Sequence, residues 1–301
     1  MLTFESEDGK TMCLRPDLTV ASCISYLKKK TNSKIYYSGQ AYRRSNNKNT
    51  SFINDQLGIE ILGSKNQIQD DFKVISTILS SAKKIKNKRI EVRVGDICLF
   101  KNLINALDMP ERWKLRLIRH FWRPNYFKEL LKRLEENTDI DAVTFDTDKK
   151  KFYQMKKMNK ERVVAGRSIS EILNRFNKKI KDPRSFGHGK QIVEIIKSFL
   201  KINCKLSKLD ETLIQFTKKN NLKKNIFKEF RSIQNLKKLN QDVNFIANFG
   251  REVEYYTGIV FEVFSGNKEI ARGGRYNDLL KSLGARKNIP AVGAAINLKN
   301  I

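Results

Sequence analysis

Gly250-Arg251-Glu252-Val253-Glu254-Tyr255-Tyr256-Thr257-Gly258-Ile259-Val260-Phe261-Glu262 passes from a polar turn into a run of β-branched and aromatic residues. Gly273-Gly274-Arg275-Tyr276-Asn277-Asp278-Leu279 follows it. Val, Ile and Phe bounded by Gly and polar residues predict strands at Gly258–Phe264 and Ile270–Ala271, with another before them at Val243–Asn248. Arg275–Leu283 reads as a short helix and Ala291–Leu298 as a final apolar strand. The last sixty or so residues are therefore β-rich, on the strand lengths usual for sheets.

The other end of the chain carries the same signature. Met1–Phe4 and Thr11–Leu14 flank Ser6-Glu7-Asp8-Gly9, a hairpin pattern. Gly9-Lys10-Thr11 is no phosphate loop, because Phe4 stands where that motif needs a glycine. Leu18, Ala21, Ile24 and Leu27 have helical spacing up to Lys30. Lys34–Tyr42 and Phe52–Leu62 read as strands, joined by the polar, exposed or ligand-facing stretch Arg44–Ser51. Gln67–Ile85 is an amphipathic helix with Ile68, Phe72, Ile75 and Leu79 on one face, and Arg89–Val94 alternates like a strand.

From Asp96 to Leu239 the period becomes helical. Ile97–Leu107, Pro110–Phe121, Pro124–Leu134, Ser168–Ile180, Lys190–Leu200, Lys208–Lys218 and Lys223–Leu236 are the expected helices. Pro110 and Pro124 suit first turns. The simplest account is an α+β fold. One antiparallel sheet is built from residues 1–95 and 240–301, and a mostly helical insertion spans 96–239.

Composition removes several classes of function. Across 301 residues, 40% are apolar, enough for a core, and the formal charge is +28. No apolar run approaches the ~20 residues of a membrane span. The acidic, polar start is not a secretory signal. Cys13, Cys23, Cys98 and Cys204 are scattered without a C-x-x-C pair, so neither a metal site nor a disulfide framework is expected, and a cytoplasmic setting fits. The lysines are spread along the chain and do not alternate with aromatics, so the charge reads as compositional bias rather than a dedicated nucleic-acid surface. A steep salt dependence of RNA affinity would mark the alternative, a general RNA-binding module. His188 lies in a glycine-flanked loop before a helix, and His120 in an apolar and basic helix; neither has a nucleophile or metal partner in sequence.

Five segments matter together: Leu14-Arg15-Pro16-Asp17-Leu18-Thr19, Gly39-Gln40-Ala41-Tyr42-Arg43-Arg44, Gln56-Leu57-Gly58-Ile59-Glu60, and the two stretches quoted first. If their strands share one sheet, Asp17, Gln56 and Glu60 fall beside Arg43, Arg251 and Tyr256. Period-two alternation puts Gln56, Gly58 and Glu60 on one face, with Gly58 leaving room for a ligand against the backbone.

In type and order these segments, with Ala291-Val292-Gly293-Ala294-Ala295-Ile296-Asn297-Leu298, resemble the histidyl-tRNA synthetase family and its class II aminoacyl-tRNA synthetase core over essentially the whole chain. The resemblance implies a histidine pocket. Asp17, Thr19 and Gln56 would hold the α-amino group, Glu60 and Tyr256, with Tyr255 beside it, would face the imidazole, and Arg43 and Arg251 the carboxylate. Carboxylate and amide oxygens accept from an ammonium, and Arg pairs with a carboxylate.

The departures from the family are directional. Ser45 replaces an acidic residue of motif 2, and Phe52-Ile53-Asn54 replaces basic and acidic residues. Asn297-Leu298-Lys299-Asn300 stands where motif 3 ends in Gly-Leu-Glu-Arg, whose Arg contacts ATP. No anticodon-binding domain is expected to follow, and the motif 1 helix and strand are expected to be missing ahead of Met1, which would leave a sheet edge uncovered. The pattern resembles the family's branch of regulatory subunits of ATP phosphoribosyltransferase, as do Arg93-Val94-Gly95-Asp96-Ile97-Cys98-Leu99-Phe100 and Pro110-Glu111-Arg112-Trp113. That resemblance implies no catalysis, no cofactor and no tRNA charging. It implies a short-form catalytic chain as partner, self-association, free L-histidine as ligand, and relay of histidine feedback onto the first step of histidine biosynthesis. The enzymatic alternative is a histidyl-tRNA synthetase or a fragment of one.

Overall fold

The computed structural model describes residues 2–29, 34–43, 52–85, 90–136, 142–157, 163–164, 167–180, 187–227, 231–239, 242–249 and 254–300. In chain order the elements begin with β1 (Thr3–Glu5), β2 (Thr11–Cys13), α1 (Thr19–Lys29), β3 (Lys34–Tyr42), β4 (Ile53–Leu62), α2 (Gln67–Ile85) and β5 (Glu91–Asp96). Next come α3 (Ile97–Ala106), α4 (Glu111–Arg119), α5 (Pro124–Glu136), α6 (Ala142–Lys156), β6 (Val163–Val164), β7 (Arg167–Ser168), α7 (Ile169–Ile180) and α8 (His188–Leu200). The chain closes with β8 (Asn203–Lys205), α9 (Leu209–Lys219), α10 (Arg231–Asn235), β9 (Val243–Ile246), β10 (Ile259–Ser265), β11 (Lys268–Arg275), α11 (Leu279–Ser282) and β12 (Ala291–Asn297).

Contacts divide the molecule into two compact units. Unit 1 takes Met1–Leu99, Ile202–Leu213 and Phe227–Ile301; unit 2 takes Phe100–Lys201 and Ile214–Ile226. Unit 1 is an α+β structure around one eight-stranded sheet in the order β3-β4-β12-β11-β10-β5-β9-β8. Strands from the two ends of the chain therefore become neighbours in this sheet, where β4 pairs with β12. Every pair is antiparallel except β5 with β9, a correction to the purely antiparallel expectation. A parallel pair needs a long crossover, which the helical stretch between β5 and β9 supplies.

On one face of the sheet α2 packs against β12 and β11. Val74, Ile75, Ile78, Leu79 and Ala82 are its buried apolar residues among those described, so the apolar stripe sits about one residue round from the expected one. Ile68 and Phe72 are only half-buried, and Asp71 is fully buried. Asp71 accepts from Arg275 Nε at 2.9 Å and Nη2 at 2.6 Å, an ion pair that ties α2 to the end of β11. The two glycines of β11 explain why that strand runs beyond the expected Ile270–Ala271. A Cβ on Gly273 would fall 2.3 Å from Ala294 Cβ, and one on Gly274 2.8 Å from the Tyr256 ring. Glycine in a strand marks such close approach.

Unit 2 is mainly helical. Phe100 stacks on Phe121 with ring centroids 3.8 Å apart, and Phe127 meets both edge-on. Helix α5 packs on α8. The expected helix Lys223–Leu236 is not continuous: only Arg231–Asn235 is α-helical among its described residues. Asn221 has φ of 50°, a left-handed stop that ends α9 and turns the chain before Lys223. α6 and the short β6–β7 pair were not expected, since α6 lacks a clear apolar stripe, and β8 is too short to show period-two alternation. Among the described residues no helix is long and apolar enough to cross a membrane.

Candidate functional site

The cavity lies on unit 1, over the β3-β4-β12-β11 part of the sheet. Its volume is about 100 Å³. Three chain regions supply the walls: the start of α1, the strands β3 and β4, and the strands β11 and β12 with Tyr255 and Tyr256 from ahead of β10. Of the residues expected from sequence, Asp17, Thr19, Arg43, Gln56, Tyr255 and Tyr256 line it together. Glu60 does not line it but lies beneath the floor, fully buried. Arg251, like Ser45 and the polar stretch 44–51, lies outside the described residues.

Local sequence explains each placement. Asp17 precedes α1 and its Oδ1 accepts the Val20 N–H at 3.1 Å, as a carboxylate does at a helix start. Thr19 opens the helix and donates its hydroxyl to Glu60 Oε1 at 2.7 Å. Arg43 lies just past β3, and its Nε donates to the Pro16 carbonyl at 2.8 Å. That bond joins the Asp17 and Arg43 walls. Gln56 and Glu60 lie on one side of β4 as alternation requires, with Gln56 6% and Glu60 0% exposed.

Gly58 does not hold a vacant place for a ligand. It pairs across the ladder with Tyr37, and a Cβ on Gly58 would lie 2.1 Å from that ring. The missing side chain is filled by an aromatic from the neighbouring strand. Tyr37 OH then donates to Glu60 Oε1 at 3.3 Å. Tyr276 OH donates to Glu60 Oε2 in a short bond. Gly293, paired with Glu60 on β12, completes the seat: a Cβ there would lie 1.4 Å from Glu60 Oε2.

Glu60 thus has three hydroxyl donors and almost no water. The hydrogen bonds favour the carboxylate, but burial dominates and pushes its pKa up to about 7. The same burial, followed by the Glu60 charge, lifts the Cys23 thiol to about 12. Burial also raises the phenols of Tyr37, Tyr255, Tyr256 and Tyr276, so all four hydroxyls carry their protons near neutral pH. For Tyr256 the Arg272 charge pulls the other way, which sets Arg272 beside the same wall. The rings of Tyr255 and Tyr256 meet edge-on at 5.1 Å, and Tyr255 meets Tyr276 at 5.8 Å.

Sequence reasoning did not single out Tyr37, Tyr276, Glu269 or Arg272. Tyr276 was visible inside a quoted motif. Tyr37 was visible only through its ladder partner Gly58. Chemically the cavity offers carboxylate and amide oxygens to a cationic amine, guanidinium to an anion, and an aromatic and hydroxyl wall to a small ring. Among the described residues no cluster of His, Cys, Asp and Glu has metal-binding geometry.

A sheet dominated by antiparallel pairs, with the start of α1 walling a cavity on it, gives a fold of the class II aminoacyl-tRNA synthetase core type. The family model described as histidyl-tRNA synthetase matches residues 1–301. The chain belongs to that family. Among curated relatives it is 28% identical over 320 residues to the ATP phosphoribosyltransferase regulatory subunit of Brucella anthropi, covering 99% of this chain and 84% of the relative. It is 30% identical over 318 residues to the protein of that name from Allorhizobium ampelinum, covering 99% and 85%. Among solved structures, an ATP phosphoribosyltransferase regulatory subunit/histidyl-tRNA synthetase from Bacillus halodurans matches with TM-score 0.60 and 17% identity, over 99% of this chain and 66% of that one. A chain of an ATP phosphoribosyl transferase complex from Thermotoga maritima matches with TM-score 0.52 and 17% identity, over 98% and 85%. At these identities the structural likenesses speak to the fold.

Proposed function

We propose that this chain is a regulatory subunit of ATP phosphoribosyltransferase that performs no catalysis itself. It acts with a separate catalytic chain in the first step of L-histidine biosynthesis, in the cytoplasm. The observation that carries the reading is the name shared by relatives that align with 99% of the chain. The site supports it from another direction. Residues suited to an amino acid are gathered around one cavity, while Asn300 stands where the family's ATP-contacting Arg is expected. Asn300 donates its side-chain amide to the Glu269 carbonyl, and Lys299 Nζ donates to the Ile53 carbonyl. Both side chains are thereby turned to the chain's own backbone.

The cavity is the site for free L-histidine in this proposal. Asp17 and Gln56, with Thr19, accept the α-amino group; Arg43 and Arg251 face the carboxylate. Tyr255 and Tyr256 wall the imidazole, and Glu60 acts from below through Thr19, Tyr37 and Tyr276. Histidine regulates the catalytic chain only if it binds two quaternary states with different affinity, since a ligand that does not discriminate shifts nothing. Self-association belongs to the same proposal. β1 and β2 form an isolated hairpin with Phe4 50% and Met12 46% exposed, and Tyr36 on the edge strand β3 is 68% exposed. A lone two-stranded hairpin is marginal in water, and an apolar sheet edge favours pairing.

The test is reconstitution with a short-form catalytic chain. Co-purification, phosphoribosyltransferase activity that depends on this subunit, and inhibition by added histidine are the expected results. Histidine-dependent exchange of pyrophosphate into ATP by this chain alone would overturn the reading in favour of a synthetase.

A further inference from the structure

Arg272 sits in β11 opposite Glu262 of β10. Its Nη2 lies 2.8 Å from Glu262 Oε1. The same guanidinium engages Glu269 side-on, donating Nε to Oε1 at 3.1 Å and Nη2 to Oε2 at 2.7 Å. Arg272 and Glu269 both line the cavity, while Glu262 is buried beside them. On its other side Glu262 pairs with Arg93 of β5, which is itself bound by Glu91 at 2.8 Å. The row across β5, β10 and β11 alternates in sign and carries one more carboxylate than guanidinium.

The consequence is electrostatic. A polyphosphate is bound by cations whose charge is available to it, and Arg–phosphate pairing is strong because its hydrogen bonds are charge-assisted and often bidentate. Here the guanidinium on this wall already holds two carboxylates. A phosphate approaching it meets Glu269 at the surface and Glu262 behind. An amino-acid zwitterion carries an ammonium that the same carboxylate attracts.

We propose that the Glu262–Arg272–Glu269 trio tunes the ligand class of the cavity, withholding the Arg272 cation from polyphosphates and nucleotides while admitting a zwitterionic amino acid. The inference rests on the amino-acid reading of the cavity given above. It assigns a specificity-determining role to three residues outside the set expected to touch histidine.

The experiment is calorimetric titration of the full chain with sodium tripolyphosphate, beside a separate titration of the unaltered chain with L-histidine. The variants are Glu269→Gln, Glu269→Gln/Arg272→Gln, and Glu129→Gln on an exposed helix face as a control for overall charge. Releasing Arg272 from one carboxylate is expected to tighten tripolyphosphate binding at least about tenfold in Glu269→Gln. The double variant and Glu129→Gln should match the unaltered chain. Equal affinity of Glu269→Gln and the unaltered chain overturns the proposal, as does an equal gain in either of the other variants. Histidine binding by the unaltered chain with no gain in Glu269→Gln sinks the trio's role and spares the pocket. The gain without histidine binding spares the trio and sinks the pocket.

Discussion

Glu60 is a carboxylate in a place where water does not reach, so its charge state depends on three hydroxyls. Burial outweighs those donors and holds its pKa near 7, against an ordinary value of 4.5. The folded state therefore keeps a proton that the unfolded chain gives up. Below about 4.5 the group is neutral in both states and costs nothing; from there to about 7 stability falls as pH rises, and above 7 the loss is constant. The shift corresponds to ~3 kcal/mol. Glu60→Gln removes this term, so the melting temperature of the unaltered chain should fall relative to the variant between pH 5 and pH 8. Parallel melting curves across that range would refute the assignment. Tyr276→Phe removes one donor from the carboxylate and leaves the ring in place. It should weaken histidine binding and cost ~1–3 kcal/mol of stability at pH 8, less at pH 5 where Glu60 is largely protonated. Denaturant melts at both pH values read the difference.

At the scale of elements, the site depends on how closely β4, β11 and β12 approach each other and on what anchors them. Gly293 is the tightest point, since any side chain there collides with Glu60. Gly293→Ala should displace the carboxylate, abolish histidine binding and destabilise the fold by ~1–3 kcal/mol, as overpacking does. The urea midpoint and a histidine titration check both halves. The anchor is the Asp71–Arg275 pair, with side chains 0% and 6% exposed. Arg275 also donates to the Gln67 carbonyl and to Asn277. Asp71→Ala would strand a buried guanidinium and should cost ~3–5 kcal/mol by the same urea measurement.

At the scale of the whole molecule, the exposed hairpin and the β3 edge should be covered by a second copy. Sedimentation velocity is expected to find the chain self-associated, and Phe4→Asp/Tyr36→Lys to shift it toward monomer with little change in melting temperature, because both side chains are already exposed. A variant that keeps the parent's sedimentation coefficient would exclude this surface. Much of this architecture is legible in the sequence by itself. Helix α2 follows from its period and β3, β4 and β12 from their strand-like apolar patterns, because each is a local pattern within a few residues, whereas Asp17, Thr19 and Gln56 stand out through the resemblance of their segments, in type and order, to a known family. The partnerships that make the site work were decided only by tertiary structure. Tyr37 over Gly58, Tyr276 and Gly293 around Glu60, and Arg272 between Glu262 and Glu269 are set by cross-strand register. Register joins residues as far apart as 60 and 293, and no local periodicity carries that information, because the pairing depends on which strands the finished sheet places side by side.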